Sequence, residues 1–223
     1  MQVKVLREAG YEEALLGLSL SFYDHKIPLL AEDAVLKNNL STSRLLTRWH
    51  TEPEVFWTDG KLVRAERRAK ALAFKGGGHN KFLESITVWL YIQAPRCWWS
   101  EYDTYRVGMT KNSSSTMHTL DKRETEPLVD YEHGTSFKAI EEFNNCLRLY
   151  KDPMSPLFKD ITRLKLNLPE GFLQERQITT NYMTLQNILN QREGHRLRFW
   201  NTHRDELLAQ LSYPELLVPE AQQ

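Results

Sequence analysis

Cysteine is almost missing from this chain: Cys97 and Cys146 are its only two in 223 residues. Two isolated thiols form neither a disulfide framework nor a metal-ligand spacing, so a reducing compartment is expected. Long apolar runs are missing too. The longest, around residues 86–92, is interrupted by Thr87 and falls far short of the roughly 20 residues that span a bilayer. The opening MQVKVLREAG alternates apolar and charged residues, with no apolar core of signal-peptide length, and the expectation is a cytoplasmic protein. Net charge is absent as well, with 29 Lys and Arg against 29 Asp and Glu. That balance argues against a general electrostatic nucleic-acid binder, although it permits a local basic patch. Neither an internal repeat nor a low-complexity tract occurs. His25, His50, His133, His195 and His203 lack metal-ligand spacing, so no structural metal is expected.

What remains is the composition of a soluble globular protein, 41% apolar and 26% charged, expected to form a single domain over residues 1–223. Val3, Val5 and Leu6 predict an opening strand, followed by a helix over residues 11–22. Helices are predicted over 36–49 and 61–75, the second stopped by Gly76-Gly77-Gly78, where backbone entropy opposes a helix. Residues 85–93 predict a buried strand, rich in β-branched and aromatic side chains and ended by Pro95. A short helix over 96–105, a polar loop to His118 and an amphipathic helix over 136–150 follow. Residues 168–176 predict a helix with Pro169 in its first turn, and two more helices are expected over 184–191 and 198–211. Strands mixed with helices, without regular βαβ alternation, predict an α+β fold with a mixed sheet and flanking helices.

Residues 96–106, Arg-Cys-Trp-Trp-Ser-Glu-Tyr-Asp-Thr-Tyr-Arg, concentrate four aromatics and four charges. One reading is a helix with its aromatics in the core and its charges paired at the surface. The other is the ring-stacking wall of a pocket or a subunit interface. Adjacent tryptophans on a helix point about 100° apart, which favours the pocket or interface. The triple glycine lacks the strand–GxxxxGK–helix context of a phosphate loop and reads as a helix stop. Arg64, Arg67, Arg68 and Lys70 read as a solvated face. Arg192, Arg196 and Arg198 flank a break between helices, where buried cations require an anion or an acidic neighbour.

Gly78-His79-Asn80-Lys81-Phe82-Leu83-Glu84-Ser85, running into a strand that ends Gln93-Ala94-Pro95, resembles the flavin-dependent thymidylate synthase family without a gap. A second block, Thr179-Thr180-Asn181, Leu185, Asn187, Leu189-Asn190 and Arg192, is similar to that family's C-terminal strand-to-helix segment, with Leu168-Pro169 in register. MQVKVL and Ser21-Phe22 match more loosely. The resemblance implies an α+β homotetramer with active sites between subunits, binding FAD and dUMP and using NADPH and methylenetetrahydrofolate.

Residue by residue, the resemblance implies that His79, Glu84, Arg106, Asn181 and Asn187 hold the flavin cofactor. It implies that Arg192 holds the pyrimidine ring, and that Ser114 and Lys165 lie at the substrate, Lys165 standing where the family has a phosphate-binding arginine. Arg192, Glu101 and Arg106 are the implied catalytic positions. The Arg-His-Arg signature is rewritten: its first two residues are Thr104 and Tyr105, Arg106 is the third, a downstream arginine is Thr116, and a glutamine near the nucleotide is Glu101. Two lost arginine–phosphate contacts, each roughly 1.5–3 kcal/mol, and added charge at Glu101 and Asp103 imply weak dUMP binding, with Arg96, Lys111 and His118 as candidate replacements. The implied function is a divergent flavin- and pyrimidine-nucleotide-binding protein. The alternatives are flavin-dependent transfer to another pyrimidine, with Glu101 and Asp103 reading an amino-bearing edge, and a non-catalytic nucleotide-binding or assembly protein that keeps the fold. No serine or cysteine has a general base at motif spacing, which argues against a nucleophilic hydrolase.

Overall fold

The computed structural model describes residues 1–20 and 61–219. The helix expected over 36–49 and the Ser21-Phe22 match lie outside the described residues. Strand β1 (Gln2–Ala9) leads into helix α1 (Tyr11–Leu20), and α2 (Lys61–Leu72) precedes a 3-10 turn at Lys81–Ser85. Strand β2 (Thr87–Pro95) runs directly into α3 (Arg96–Tyr102), followed by β3 (Thr110–Ser113) and the short α4 (Thr116–Thr119). Helices α5 (Phe137–Lys151) and α6 (Ile161–Leu166) precede β4 (Leu173–Asn181), α7 (Tyr182–Gln191) and α8 (Phe199–Leu208), and a 3-10 turn occupies Pro214–Leu216.

The four strands form one sheet in the order β1-β2-β4-β3. All three pairings are antiparallel, so the α+β expectation holds while the mixed sheet is corrected. Helices here connect strands that are not parallel neighbours, and no βαβ crossover is required. Alternation decides which face of β2 is covered: Val88, Leu90, Ile92 and Ala94 are buried, whereas Thr87, Trp89, Tyr91 and Gln93 are half-exposed. The buried face packs with Leu15, Ala69, Leu83, Ile178, Leu185 and Ile188 in the main core.

The helix expected over 168–176 is the second correction. A short helix ends at Leu166, Pro169 accepts a turn hydrogen bond from Phe172 N–H at 3.0 Å, and residues 173–181 pair with β2 along its whole length. A proline fits this turn as well as it fits a helix start. The polar loop expected before His118 contains β3, an edge strand with no apolar side chain, and α3 stops at Tyr102 rather than at residue 105.

A second, smaller core lies where α5 meets α6, built from Leu120, Phe143, Cys146, Leu147, Leu164 and Leu168. Side-chain caps fix these helix starts: Ser136 Oγ accepts from Ala139 N–H, and Asp160 Oδ1 from Arg163 N–H, each satisfying a donor that the first turn leaves open. Among the described residues, no helix is long and apolar enough to cross a membrane.

Candidate functional site

Helix α2 ends at Leu72, three residues short of the end expected at 75, and two glycines beyond it turn the chain toward the sheet. Gly77 and Gly78 both have positive φ, 71° and 84°, a conformation that side chains with a Cβ resist. The following 3-10 turn buries Phe82 and Leu83 and leaves Glu84 exposed. His79 and Glu84 line a cavity of about 560 Å³ with Gly77, Gly78, Phe82 and Leu18. Glu84 also lines a second cavity of about 470 Å³, with Arg106, Asn181, Asn187, Tyr105 and Gln191. The two cavities therefore adjoin at Glu84, and between them they carry all five residues expected at the cofactor.

The second cavity runs along one face of α7. Asn181 caps that helix, its Oδ1 accepting from Thr184 N–H at 2.9 Å. Asn187 and Gln191 lie one and two turns further on and are exposed. Opposite them is the segment after α3, held close because Gly108 packs against α7 and its carbonyl accepts from Thr180 Oγ1 at 3.1 Å. Arg106 is exposed here and has no hydrogen-bond or ion-pair partner among the described residues. A free guanidinium beside the N-terminal turn of a ten-residue helix favours an anion. The amides of Asn181 and Asn187 add neutral donors and acceptors, which fits the phosphates and ring edges of a dinucleotide.

Behind Tyr105 is an ionic cluster. Arg192, at the C-terminal cap of α7, donates from Nε to the Tyr105 hydroxyl at 2.8 Å and from Nη1 to Glu101 Oε2 at 2.9 Å. Its guanidinium lies 4.5 Å from the Trp200 ring centroid and 5.4 Å from that of Tyr105. Trp200 Nε1 donates to the same Glu101 oxygen at 2.9 Å, and His195 Nε2 lies 3.4 Å from it. Of the three arginines only Arg192 is held inward, with Glu101 as its acidic neighbour; Arg196 and Arg198 are exposed, and Arg198 pairs with Glu132 at 3.6 Å.

The remaining substrate candidates do not gather around these cavities. Arg96 donates to Leu168 O at 2.7 Å, pairs with Glu170 at 3.4 Å, and faces a separate cleft of about 230 Å³. Ser114 follows β3 and donates its N–H to Glu175 O. Lys165 lies on α6 and borders neither cavity. Thr104 Oγ1 is occupied by Glu101 O at 2.7 Å. Asp103, expected to add repulsion, is neutralised by Arg176 at 2.7 Å and Lys111 at 3.2 Å. Burial holds Lys111 below the usual lysine range, while its bond to Asp103 works in the opposite direction.

The pocket-wall reading of Trp98 and Trp99 is corrected: both are essentially fully buried. Their directions do diverge, but α3 has neighbours on both sides. Trp98 packs on Tyr102, Trp200 and His203, while Trp99 Nε1 donates to Gln174 O and Arg176 covers its ring at 4.2 Å. Arg176, Trp200 and His203 were not singled out from the sequence. Phe199-Trp200 is the one local signal there, and nothing in the sequence near Arg176 marks it.

No family model and no curated protein matches this sequence. Solved structures do. Two structures of the flavin-dependent thymidylate synthase ThyX from Helicobacter pylori, each with FAD and dUMP, share 14% identity with this chain. One matches with a TM-score of 0.64 over 97% of this chain and 98% of its own, the other with 0.65 over the whole of both. The fold is thus similar to that of ThyX from end to end, in a strongly diverged sequence.

Proposed function

We propose that this chain is a divergent ThyX-like protein that binds a flavin nucleotide, FAD, in the two adjoining cavities and a pyrimidine nucleotide beside them. One observation carries the reading. His79, Glu84, Arg106, Asn181 and Asn187 come from segments more than a hundred residues apart, yet they line two hollows that meet at Glu84. Each hollow by itself is in the size range of ligand sites, about 300–1,000 Å³. Arg106 and the start of α7 would hold the diphosphate, and the two asparagines and His79 would meet ring and ribose edges. A flavin bound here would supply hydride or one-carbon transfer chemistry, and the protein would supply position and charge. The ThyX structures contain FAD and dUMP, which supports both ligand classes. In this reading the whole chain acts as one domain. The scatter of Arg96, Ser114 and Lys165 favours a site completed by neighbouring subunits of a homotetramer.

The test is reconstitution. The purified protein, incubated with FAD and desalted, should retain the yellow absorbance of oxidised flavin, and Arg106→Ala and Asn187→Ala should each lose most of it while keeping the wild-type circular dichroism. A colourless wild-type protein under these conditions would sink the flavin assignment. Light scattering that finds a stable monomer would remove the shared-site arrangement.

A second reading, a nucleotide-binding protein without catalysis, is favoured by Arg192. Its guanidinium is already engaged by Glu101, Tyr105 and Trp200, and the rewritten segment supplies Thr104 and Tyr105 in place of two signature residues. Tritium release from [5-³H]dUMP by flavin-loaded protein separates the two: turnover would exclude the second reading.

A further inference from the structure

The cluster behind Tyr105 has a polarity of its own. Arg192 spends Nε on Tyr105 and Nη1 on Glu101, which leaves Nη2 without a partner among the described residues. Glu101 Oε2 takes both Arg192 and Trp200 Nε1, which leaves Oε1 without a partner in the same sense. The Glu101 side chain keeps 35% of its surface exposed and Arg192 19%, so both unused atoms belong to groups that solvent reaches. Arg192 and Trp200, which hold Glu101, also line a hollow of about 210 Å³ with Leu189, Glu193, Asn201 and Arg204, and Glu101 lies outside that lining. The charges of Arg192 and Glu101 cancel, so their two unused atoms present a ring arriving from solvent with one N–H donor and one carboxylate acceptor at no net charge.

Resting on the reading that a pyrimidine nucleotide binds beside the flavin, we infer that this edge selects an amino-bearing pyrimidine, a cytosine ring rather than uracil. Cytosine presents a ring-nitrogen acceptor to Arg192 Nη2 and an exocyclic amino donor to Glu101 Oε1, and both bonds are charge-assisted. Uracil can meet the same edge only by turning its imide N–H toward Glu101. That arrangement sets its second carbonyl beside the carboxylate, where the two acceptors repel. Glu101 is the specificity-determining residue because its inner oxygen is pinned. Two donors, Arg192 Nη1 and Trp200 Nε1, both point at Oε2. In Glu101→Gln the amide oxygen must occupy that inner position, and the amide nitrogen then faces outward. The substitution turns the outward acceptor into a donor while keeping size and shape, and a donor suits a uracil carbonyl.

The experiment is calorimetric titration of the flavin-loaded full-length protein with dCMP and, separately, dUMP, for wild type and E101Q. The two ligands share sugar and phosphate, so the ratio of their dissociation constants isolates the ring edge. Wild type should bind dCMP more tightly than dUMP, on the order of tenfold for one well-formed donor–acceptor pair. E101Q should lose that preference or reverse it. Equal or tighter dUMP binding by wild type overturns the inference, as does an unchanged ratio in E101Q. If E101Q does not fold, the wild-type ratio decides alone. Protein that retains flavin but binds neither nucleotide overturns this inference and leaves the flavin site standing. Protein that cannot be loaded with flavin but prefers dCMP overturns the flavin assignment and upholds the inference.

Discussion

Gly108 and Thr184 stand so close that a Cβ on the first would lie 2.2 Å from Oγ1 of the second. Gly108 also has φ of +73°, so steric room and backbone conformation both require glycine. This contact brings the segment after α3 against α7 and so sets the width of the cavity that Arg106 and Asn187 line. Gly108→Ala should lower stability by about 1–3 kcal/mol in urea denaturation. It should also weaken flavin retention beyond what that loss explains, because the loop must move away from α7.

Asn181 has two roles that can be separated. Its Oδ1 caps α7, so Asn181→Ala should cost about 0.5–2 kcal/mol. Asn181→Asp keeps the cap and adds a negative charge next to the proposed diphosphate. It should retain the wild-type urea midpoint and lose flavin. If Asn181→Asp binds flavin as wild type does, Asn181 is only a cap.

The sequence and the structure agree best where local patterning is the whole signal. Val88, Leu90 and Ile92 alternate because one face of β2 is buried, and Ser136 sits where the first turn of α5 needs an acceptor. Residues 168–176 misled because Pro169 is compatible with a helix start and with a turn. The choice is made by the ladder to β2, some eighty residues earlier. Strand β3 carries no apolar side chain. As an edge strand it buries little, so no hydrophobic period marks it. Trp98 and Trp99 diverge as a helix requires, but only the packing of both β4 and α8 on α3 makes both directions interior. In the site, Glu84, Asn181 and Asn187 are expected only through the family resemblance, and nothing in their own spacing marks them. The Glu101–Arg192 bond joins residues 91 positions apart, and no local pattern encodes it.

His203 is fully buried against Trp98, Tyr102 and Trp200, and neither of its ring nitrogens has a partner among the described residues. Burial lowers its pKa from 6.5 to about 4. The unfolded chain therefore takes up a proton as pH falls below 6.5, while the folded chain stays neutral until about pH 4. Stability is greatest above pH 6.5, declines through that window, and receives no further loss from this residue below it. The whole effect amounts to about 3 kcal/mol. Urea midpoints measured between pH 7 and pH 4 should show the decline, and His203→Phe should flatten it with little loss at pH 7, since no hydrogen bond is removed. An unchanged slope in the variant would exclude His203 as the source.

Asp103 joins Arg176 and Lys111, whose side chains retain only 13% and 16% of their surface. Asp103→Ala leaves two half-buried cations facing each other and should cost about 1–3 kcal/mol. Asp103→Asn should lie between alanine and wild type, because an amide still accepts a hydrogen bond but carries no charge. Chemical denaturation at pH 7 reads both. If alanine and asparagine are equally damaging, the carboxylate's charge, and not its hydrogen bonding, holds the cations.

The smaller core between α5 and α6 has a consequence for how the molecule opens. Its six buried side chains are separate from the main core. Its tie to the sheet includes the single backbone bridge of Tyr131 with Phe172, whose rings meet edge to face at 5.6 Å. Arg96, which donates to Leu168 O, is a further tie, but a unit with its own apolar interior can still exchange its amide hydrogens by sub-global unfolding, below the free energy at which the sheet comes apart. In deuterium, the amides of α5 and α6 should therefore label as one early group. Those of β2 and α7, which frame the cavities, should label last, and the ligand site should survive excursions that dissolve its neighbour.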